Sequence, residues 1–328
     1  MKRLSFIFFI LFFITINVLA KKPPTQPNSY NGMALSARSL AMGNTGTANV
    51  SRPDNIYFNP AGLAYNTNER IITEILVSAL RDSDLPKQEI NQVDPTELGL
   101  MSIALIQKFG AISWRTLSSN ETKISNGADW YRKQESIKAV TLSVGNTSTN
   151  GSSLGVNISY LYGTLAESSI ENTTAYAQTS SGNGFSIDIG MTYPIKKHII
   201  FGINLENVAG FMWWSDYNNY DQLPFIARAG TGYYLGGFCF LIDYARMFYR
   251  FGDMEQNLYA VGAEQYLTHF LSVMAGIESP SVSDKEQFKY TYGFGLNISI
   301  VTINFAAQNY KINSENVSEY FCSVKANI

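Results

Sequence analysis

From Arg70 to the last residue the chain repeats one pattern. About ten residues alternate large apolar side chains with small or polar ones, and then the pattern breaks. Leu154, Val156, Ile158, Tyr160 and Tyr162 alternate with Gly155, Asn157, Ser159 and Gly163. Phe185 to Tyr193 and Tyr290 to Ser299 do the same. A period of two puts successive side chains on opposite faces of a strand. Each segment therefore has one large apolar face and one small or polar face. A soluble sandwich also alternates, with its apolar faces turned inward, so the period alone leaves sandwich and barrel open.

The number of segments and the lengths of the breaks separate the two. Strands are expected near 70–79, 98–107, 111–118, 136–145, 153–163, 184–193, 199–208, 224–235, 238–245, 257–266, 270–278, 288–298, 301–309 and 318–328. Most approach the 9–11 residues that a tilted strand needs to cross a bilayer. Short breaks centre on Lys108–Gly110, Asn146–Ser152, Pro194–His198, Gly236-Gly237, Leu267–His269 and Ser299-Ile300. Between them fall long ones: Leu80–Glu97, Ser119–Glu135, Thr164–Asn183, Ala209–Leu223, Arg246–Gln256, Ser279–Gln287 and Tyr310–Val317. Strict alternation of short turns and long loops belongs to membrane barrels, and a sandwich has no reason to sort its loops this way. The expected fold class is all-β, a transmembrane antiparallel β-barrel of about 14 strands. Composition agrees: 20 Tyr and 20 Phe accompany only 15% charged residues, against roughly 25% in soluble domains.

The expected division is a signal peptide at 1–20, an N-terminal leader and hatch at 21–66, and the barrel at 67–328. Lys2 and Arg3 followed by apolar Phe6 to Ile16 read as an export signal, too short to span as a helix. Without Lys2 and Arg3 the balance is 22 basic against 26 acidic residues. That is no basic footprint, so nucleic acid is not an expected partner. The expected partners are outer-membrane lipids, and the expected location is the bacterial outer membrane. Cys239 and Cys322 fall on opposite strand faces and should not bridge.

Inside the leader lies a compact stretch, Ala37 to Ala64, reading ARSLAMGNTGTANVSRPDNIYFNPAGLA. Gly43, Gly46 and Gly62 let backbone pass close to other chain. Asn59 is extended before Pro60 and suits a helix cap, while proline suits a first helical position. Pro60 to Ala64 should be one short capped turn. Polar backbone of this kind is tolerated at membrane depth only when protein surrounds it. The stretch is therefore expected as a luminal hatch, with Arg38, Gly43, Gly46, Asp54, Asn59, Pro60, Ala61 and Gly62 as its working residues.

Glu74, Asp188, Glu206, Arg228, Asp243, Glu264 and Lys325 all take the small or polar phase. Charges on the lipid face would be costly, so these should line the lumen as a paired polar network, with Arg38 joined to one of the acids. A sharper reading of the same set is a polar headgroup site. Phe211, Met212, Trp213, Trp214 and Tyr217 crowd the expected loop Ala209–Leu223. They read either as an outer aromatic girdle or as a landing surface for a hydrophobic ligand. No catalytic residues, metal site or cofactor is expected. Gly151-Ser152-Ser153-Leu154-Gly155 matches G-x-S-x-G but sits in a short turn rather than a strand-to-helix elbow. His198 and His269 lie in other turns with no ligand spacing around them.

The opening stretch resembles the N-terminus of the FadL-like outer-membrane family, particularly its shorter PorV-type branch. The resemblance is carried by Ala37-Arg38-Ser39-Leu40-Ala41-Met42-Gly43, Gly46-Thr47-Ala48, Asp54 and Tyr57-Phe58-Asn59-Pro60-Ala61-Gly62-Leu63-Ala64. Weaker echoes are Leu223-Pro224, Gly262-Ala263-Glu264 and Tyr292-Gly293-Phe294-Gly295. Asn44-Thr45 departs from the family's usual Gly-Ala. The resemblance implies a fourteen-stranded barrel with the hatch in its lumen. It also implies a first capture groove at Thr164–Asn183 and Ala209–Leu223. Three roles follow from it: passage of a hydrophobic, fatty-acid-like molecule, a PorV-like part in protein secretion with secreted-protein partners, or a structural barrel.

Overall fold

The computed structural model describes residues 36–50, 55–66, 71–83, 99–126, 129–171, 174–216, 220–248, 255–282, 287–312 and 315–327. The expected signal and most of the leader, together with Asp54 and Tyr217, lie outside the described residues. Three short helical elements come first: α1 (Ala37–Ala41), α2 (Asn55–Phe58) and a 3-10 turn (Pro60–Tyr65). The strands follow as β1 (Ile72–Ser83), β2 (Gly99–Gln107), β3 (Gly110–Asn126), β4 (Asp129–Thr147), β5 (Ser153–Glu171), β6 (Thr174–Lys196) and β7 (Ile199–Trp214). The series continues with β8 (Tyr220–Gln222), β9 (Phe225–Leu235), β10 (Phe238–Phe248), β11 (Glu255–Tyr266), β12 (Leu271–Ser279), β13 (Lys289–Ile298), β14 (Val301–Ile312) and β15 (Glu315–Asn327).

Every pairing is antiparallel and the sheet closes on itself. Sequence neighbours pair around the ring, and β1 joins β15 through the register Glu74↔Lys325. The fifteen segments make a wall of fourteen strands, because β8 and β9 are two parts of one. They break at Leu223-Pro224, where proline has no N–H for the ladder. Opposite the break, β7 bulges: its pairing with β6 passes from Ile189↔Leu205 to Ile187↔Ala209. Asn207 at the bulge adopts φ 53°. Its backbone N–H donates to Asp188 and its side-chain amide donates to the Pro224 carbonyl. Two side-chain bonds thus replace the ladder bonds lost there.

The tight turns fall where the short breaks were expected. The two-residue turns Lys108-Phe109, Gly236-Gly237 and Ser299-Ile300 use positive φ at Phe109, Gly236 and Ser299, the geometry such hairpins favour. The expected long loops need correction. Most of Ser119–Glu135 and Thr164–Asn183 is strand, and Ala209–Trp214 belongs to β7. The expected capture groove is therefore built of paired strands over most of its described length. β5 has 19 residues and β6 has 23, so roughly half of each exceeds the 9–11 that a bilayer needs. The excess amounts to about 30–40 Å of strand at roughly 3.3 Å per residue. Beyond the membrane both faces of a strand meet polar surroundings. The apolar alternation therefore stops although the pairing continues.

The outward face is apolar. Val144, Leu154, Ile158, Val261, Ile277 and Val324 are exposed there. Tyr160 stacks with Tyr162, and Tyr244 packs on Tyr259 at one level near the long-hairpin end. Phe109, Tyr193, Leu235, Phe270 and Ile298 mark the short-turn end. This is the lipid band and paired aromatic girdles of a membrane barrel. Ile158→Lys should lower folding stability in phospholipid bilayers by about 2–4 kcal/mol, and Thr164→Lys, three pleat repeats further along β5, by less than about 1. Titrating both variants with denaturant in lipid vesicles checks the placement. Equal effects at the two positions would refute it.

Candidate functional site

Residues 36–50 and 55–66 lie inside the barrel and touch inward-facing positions around the ring. The wall is cut away to receive them. Gly155, Gly190, Gly202, Gly262 and Gly276 stand on five different strands and face the lumen. A Cβ at any of them would fall on the backbone of Pro60-Ala61, the side chain of Asn59, or the backbone of Thr47, Met42 or Gly43, respectively. Gly43 also holds φ +67°, a conformation L side chains rarely adopt. These contacts place the expected stretch inside the barrel.

Polar anchors complete the seat. The Arg38 guanidinium donates twice to Glu264 Oε2, at 2.9 Å from Nε and 2.7 Å from Nη2. Both side chains are almost wholly buried. Asp243 Oδ2 accepts from the backbone N–H groups of Gly46 and Thr47 and from the Thr47 hydroxyl, at 2.7–2.9 Å. Asn59 caps the 3-10 turn by accepting from Ala61 N–H, and its amide reaches the carbonyls of Thr47, Met191 and Ile203. One side chain thus ties the turn to the rest of the segment and to two strands. Asn157 donates to the Ile56 carbonyl, and Ser323 donates to Glu74 while accepting from Ala37 N–H. Pro60, Ala61 and Gly62 are buried against β4 and β5. The departure at Asn44-Thr45 is accommodated by a positive φ of 60° at Asn44.

The predicted charges all lie on inward-facing positions. Glu74, Asp188, Arg228, Asp243 and Glu264 are buried, and Glu206 pairs with Arg228. They divide into two groups. Glu74, Asp243 and Glu264 hold the segment. Asp188, Glu206 and Arg228 lie nearer the long-hairpin end, around a cavity of about 190 Å³. Tyr57 and Arg115 complete this polar floor, with the Arg115 guanidinium 4.2 Å from the centre of the Tyr57 ring. Burial raises the Tyr57 phenol above its ordinary value, so it remains a hydrogen-bond donor. Leu117, Leu161, Leu223, Ile226, Met247 and Leu258 form apolar walls above the floor. They belong to two clusters facing the interior, one spanning Leu117 to Leu223 and one formed by Ile226, Ala245, Met247 and Leu258.

The aromatic set does not form one surface. Met212 and Trp214 point inward, 0% and 3% exposed, and Trp214 donates to Asp221 at 2.8 Å. Phe211 and Trp213 point outward into a cluster with Phe185 and Tyr220. Alternation along β7 separates them, because the stretch is strand rather than loop. Arg115 and Tyr57 were missed as site residues. Arg115 carries the inward phase of its strand between outward Trp114 and Thr116, a signal equal to that of Asp188. Tyr57 had no such signal, because its neighbours come from distant strands. Cys239 and Cys322 are free, and no cluster of metal-ligating side chains occurs among the described residues.

No protein-family model matches the chain, and no curated protein sequence is significantly similar to it. Solved structures do share its fold. The toluene transporter TbuX of Ralstonia pickettii superposes with a TM-score of 0.67 at 14% identity, covering 91% of this chain and 100% of the other. The toluene transporter TodX of P. putida gives 0.68 at 11% identity, covering 91% and 99%. The monoaromatic hydrocarbon channel CymD gives 0.67 at 12%, with the same coverage as TodX. At these identities the likeness establishes the fold alone, a closed antiparallel barrel of fourteen strands.

The buried ion pair gives a direct test of the seat. Arg38→Met leaves Glu264 buried without its partner and should destabilise the segment by about 3–5 kcal/mol, whereas Arg38→Met with Glu264→Met should recover most of the loss. Amide exchange over residues 37–48, resolved by mass spectrometry, reads the difference. Exchange unchanged in the single variant would show that the pair does not hold the segment.

Proposed function

We propose that this chain carries hydrophobic small molecules across the bacterial outer membrane, with residues 36–66 acting as a hatch. One observation carries the reading: a cavity walled in part by leucine, isoleucine and methionine side chains, with a polar floor, lies directly on the luminal segment. A structural barrel would have no use for such a cavity, whereas a solute path needs one. The short-turn end, where the segment packs, faces the periplasm, and the long hairpins face outside. The proteins sharing the fold are named as transporters or channels for toluene and monoaromatic hydrocarbons, which fits the same class of solute. Entry runs from the long-hairpin end into the cavity, and passage requires the segment to yield. The outward cluster of Phe211 and Trp213 stays in this reading as a girdle-level contact for apolar solute. The cavity supplies the principal site.

A second reading is a PorV-like part in protein secretion. It rests on the opening stretch and on β3–β6, which rise beyond the girdle and present more surface than a small solute requires.

Expression in a bacterium lacking its own hydrocarbon barrels should raise uptake of radiolabelled toluene several-fold over the empty host. Deleting Pro60–Leu63 should leave a folded barrel with altered uptake. Uptake equal to that of the empty host would overturn the transport reading, and co-purification of secreted proteins from the same cells would favour the second.

A further inference from the structure

The cavity floor holds two hydrogen-bond donors that the fold does not use. Among the described residues Arg38 is paired with Glu264 and Arg228 with Glu206. Arg115, half-buried on the inward face of β3, makes no ion pair or hydrogen bond among them; it lies against the Tyr57 ring and within electrostatic reach of Asp188. Tyr57 is 8% exposed, and its hydroxyl has no hydrogen-bond partner among the described residues. The nearby carboxylates are already engaged. Asp188 accepts from Asn157 and from Asn207 N–H, and Glu206 holds Arg228. An arginine and a tyrosine hydroxyl that face a cavity without a protein acceptor are available to donate to whatever enters it. Here both donors border one cavity, whose remaining lining mixes leucine, isoleucine and methionine side chains with polar ones that include Glu278 and Lys289.

We propose that this cavity takes a compact organic acid, an aromatic or short-chain carboxylate. Its anionic group lies against Arg115 and the Tyr57 hydroxyl, and its apolar body rests among Leu161, Leu223, Ile226 and Met247. The proposal deepens the transport reading above and rests on it for its biological setting. Arginine suits the role because its planar fork can grip both carboxylate oxygens. Size narrows the class. A cavity of about 190 Å³ falls below the roughly 300–1,000 Å³ of sites for drug-sized ligands. A single ring or a short chain fits, and an extended long-chain acid does not. A neutral hydrocarbon would fill the walls and leave both donors unanswered.

Equilibrium dialysis of the detergent-solubilised full-length protein with radiolabelled benzoate tests this. The wild type should bind benzoate at least about tenfold more tightly than benzamide, its neutral near-isostere, since a hydrogen bond to a charged group carries that much. Arg115→Gln should lose about tenfold in benzoate affinity with benzamide unchanged. Arg115→Lys should keep part of the preference, and Tyr57→Phe should weaken benzoate by severalfold. The benzoate-to-benzamide ratio needs no variant, so a folding failure of Arg115→Gln leaves the test intact. Equal binding of the two ligands, or oleate binding more tightly than benzoate, would overturn the proposal. Toluene uptake by cells without benzoate discrimination would overturn the acid site and leave transport standing. Arg115-dependent benzoate binding without uptake of any solute would retain the site and end the transport reading.

Discussion

A polar backbone running through a membrane barrel must find all its partners inside the wall, and this requirement shapes the protein. The helical pieces within residues 36–50 and 55–66 are too short and too irregular to satisfy themselves. Their N–H and C=O groups are met by Asp243, Asn59, Asn157, Thr291 and Ser323. Contact that close is possible only where the wall carries no Cβ. The inward glycines are therefore the complement of the segment, as the anchors are its partners. Lengthening any one of five inward side chains would collide with main chain or with the Asn59 cap.

The seating also creates the cavity. Segment and anchors occupy the half of the lumen near the short turns, where the small inward residues Thr141, Ser159 and Thr192 leave room. Toward the long hairpins the inward positions enlarge to Leu117, Leu161, Met212, Trp214 and Met247, but they do not close the lumen. At the boundary Tyr57 projects from the segment to Arg115 on the wall. Whatever occupies the cavity touches the segment there. In the proposed role, a ligand and the segment would be coupled by contact, without any relay through the barrel.

The sequence conveyed much of this through one rule. A strand in lipid must alternate, so Leu154 to Tyr162 and Tyr290 to Ile298 declared both their secondary structure and their faces. The same rule placed Glu74, Asp188, Asp243 and Glu264 in the lumen and anticipated a partner for Arg38. It failed where the bilayer ends. Over Thr164–Glu171 and Thr174–Ser180 both faces mix polar and apolar residues, the period disappears, and paired strand reads as loop. It failed differently at Phe211 to Trp214. Four aromatic and apolar residues in a row suggested a single patch, yet alternation sends Met212 and Trp214 inward and the other two outward. The Tyr57–Arg115 contact joins a four-residue helix to a strand nearly sixty positions later, and only the closed barrel brings them together.

The account is tested most directly by where a ligand sits. Crystals of the full protein soaked with 4-bromobenzoate should show one principal bromine anomalous peak inside the barrel, among Leu161, Leu223 and Met247, with the carboxylate toward Arg115. Bromine confined to the outer aromatic surface, with none inside the wall, would contradict it.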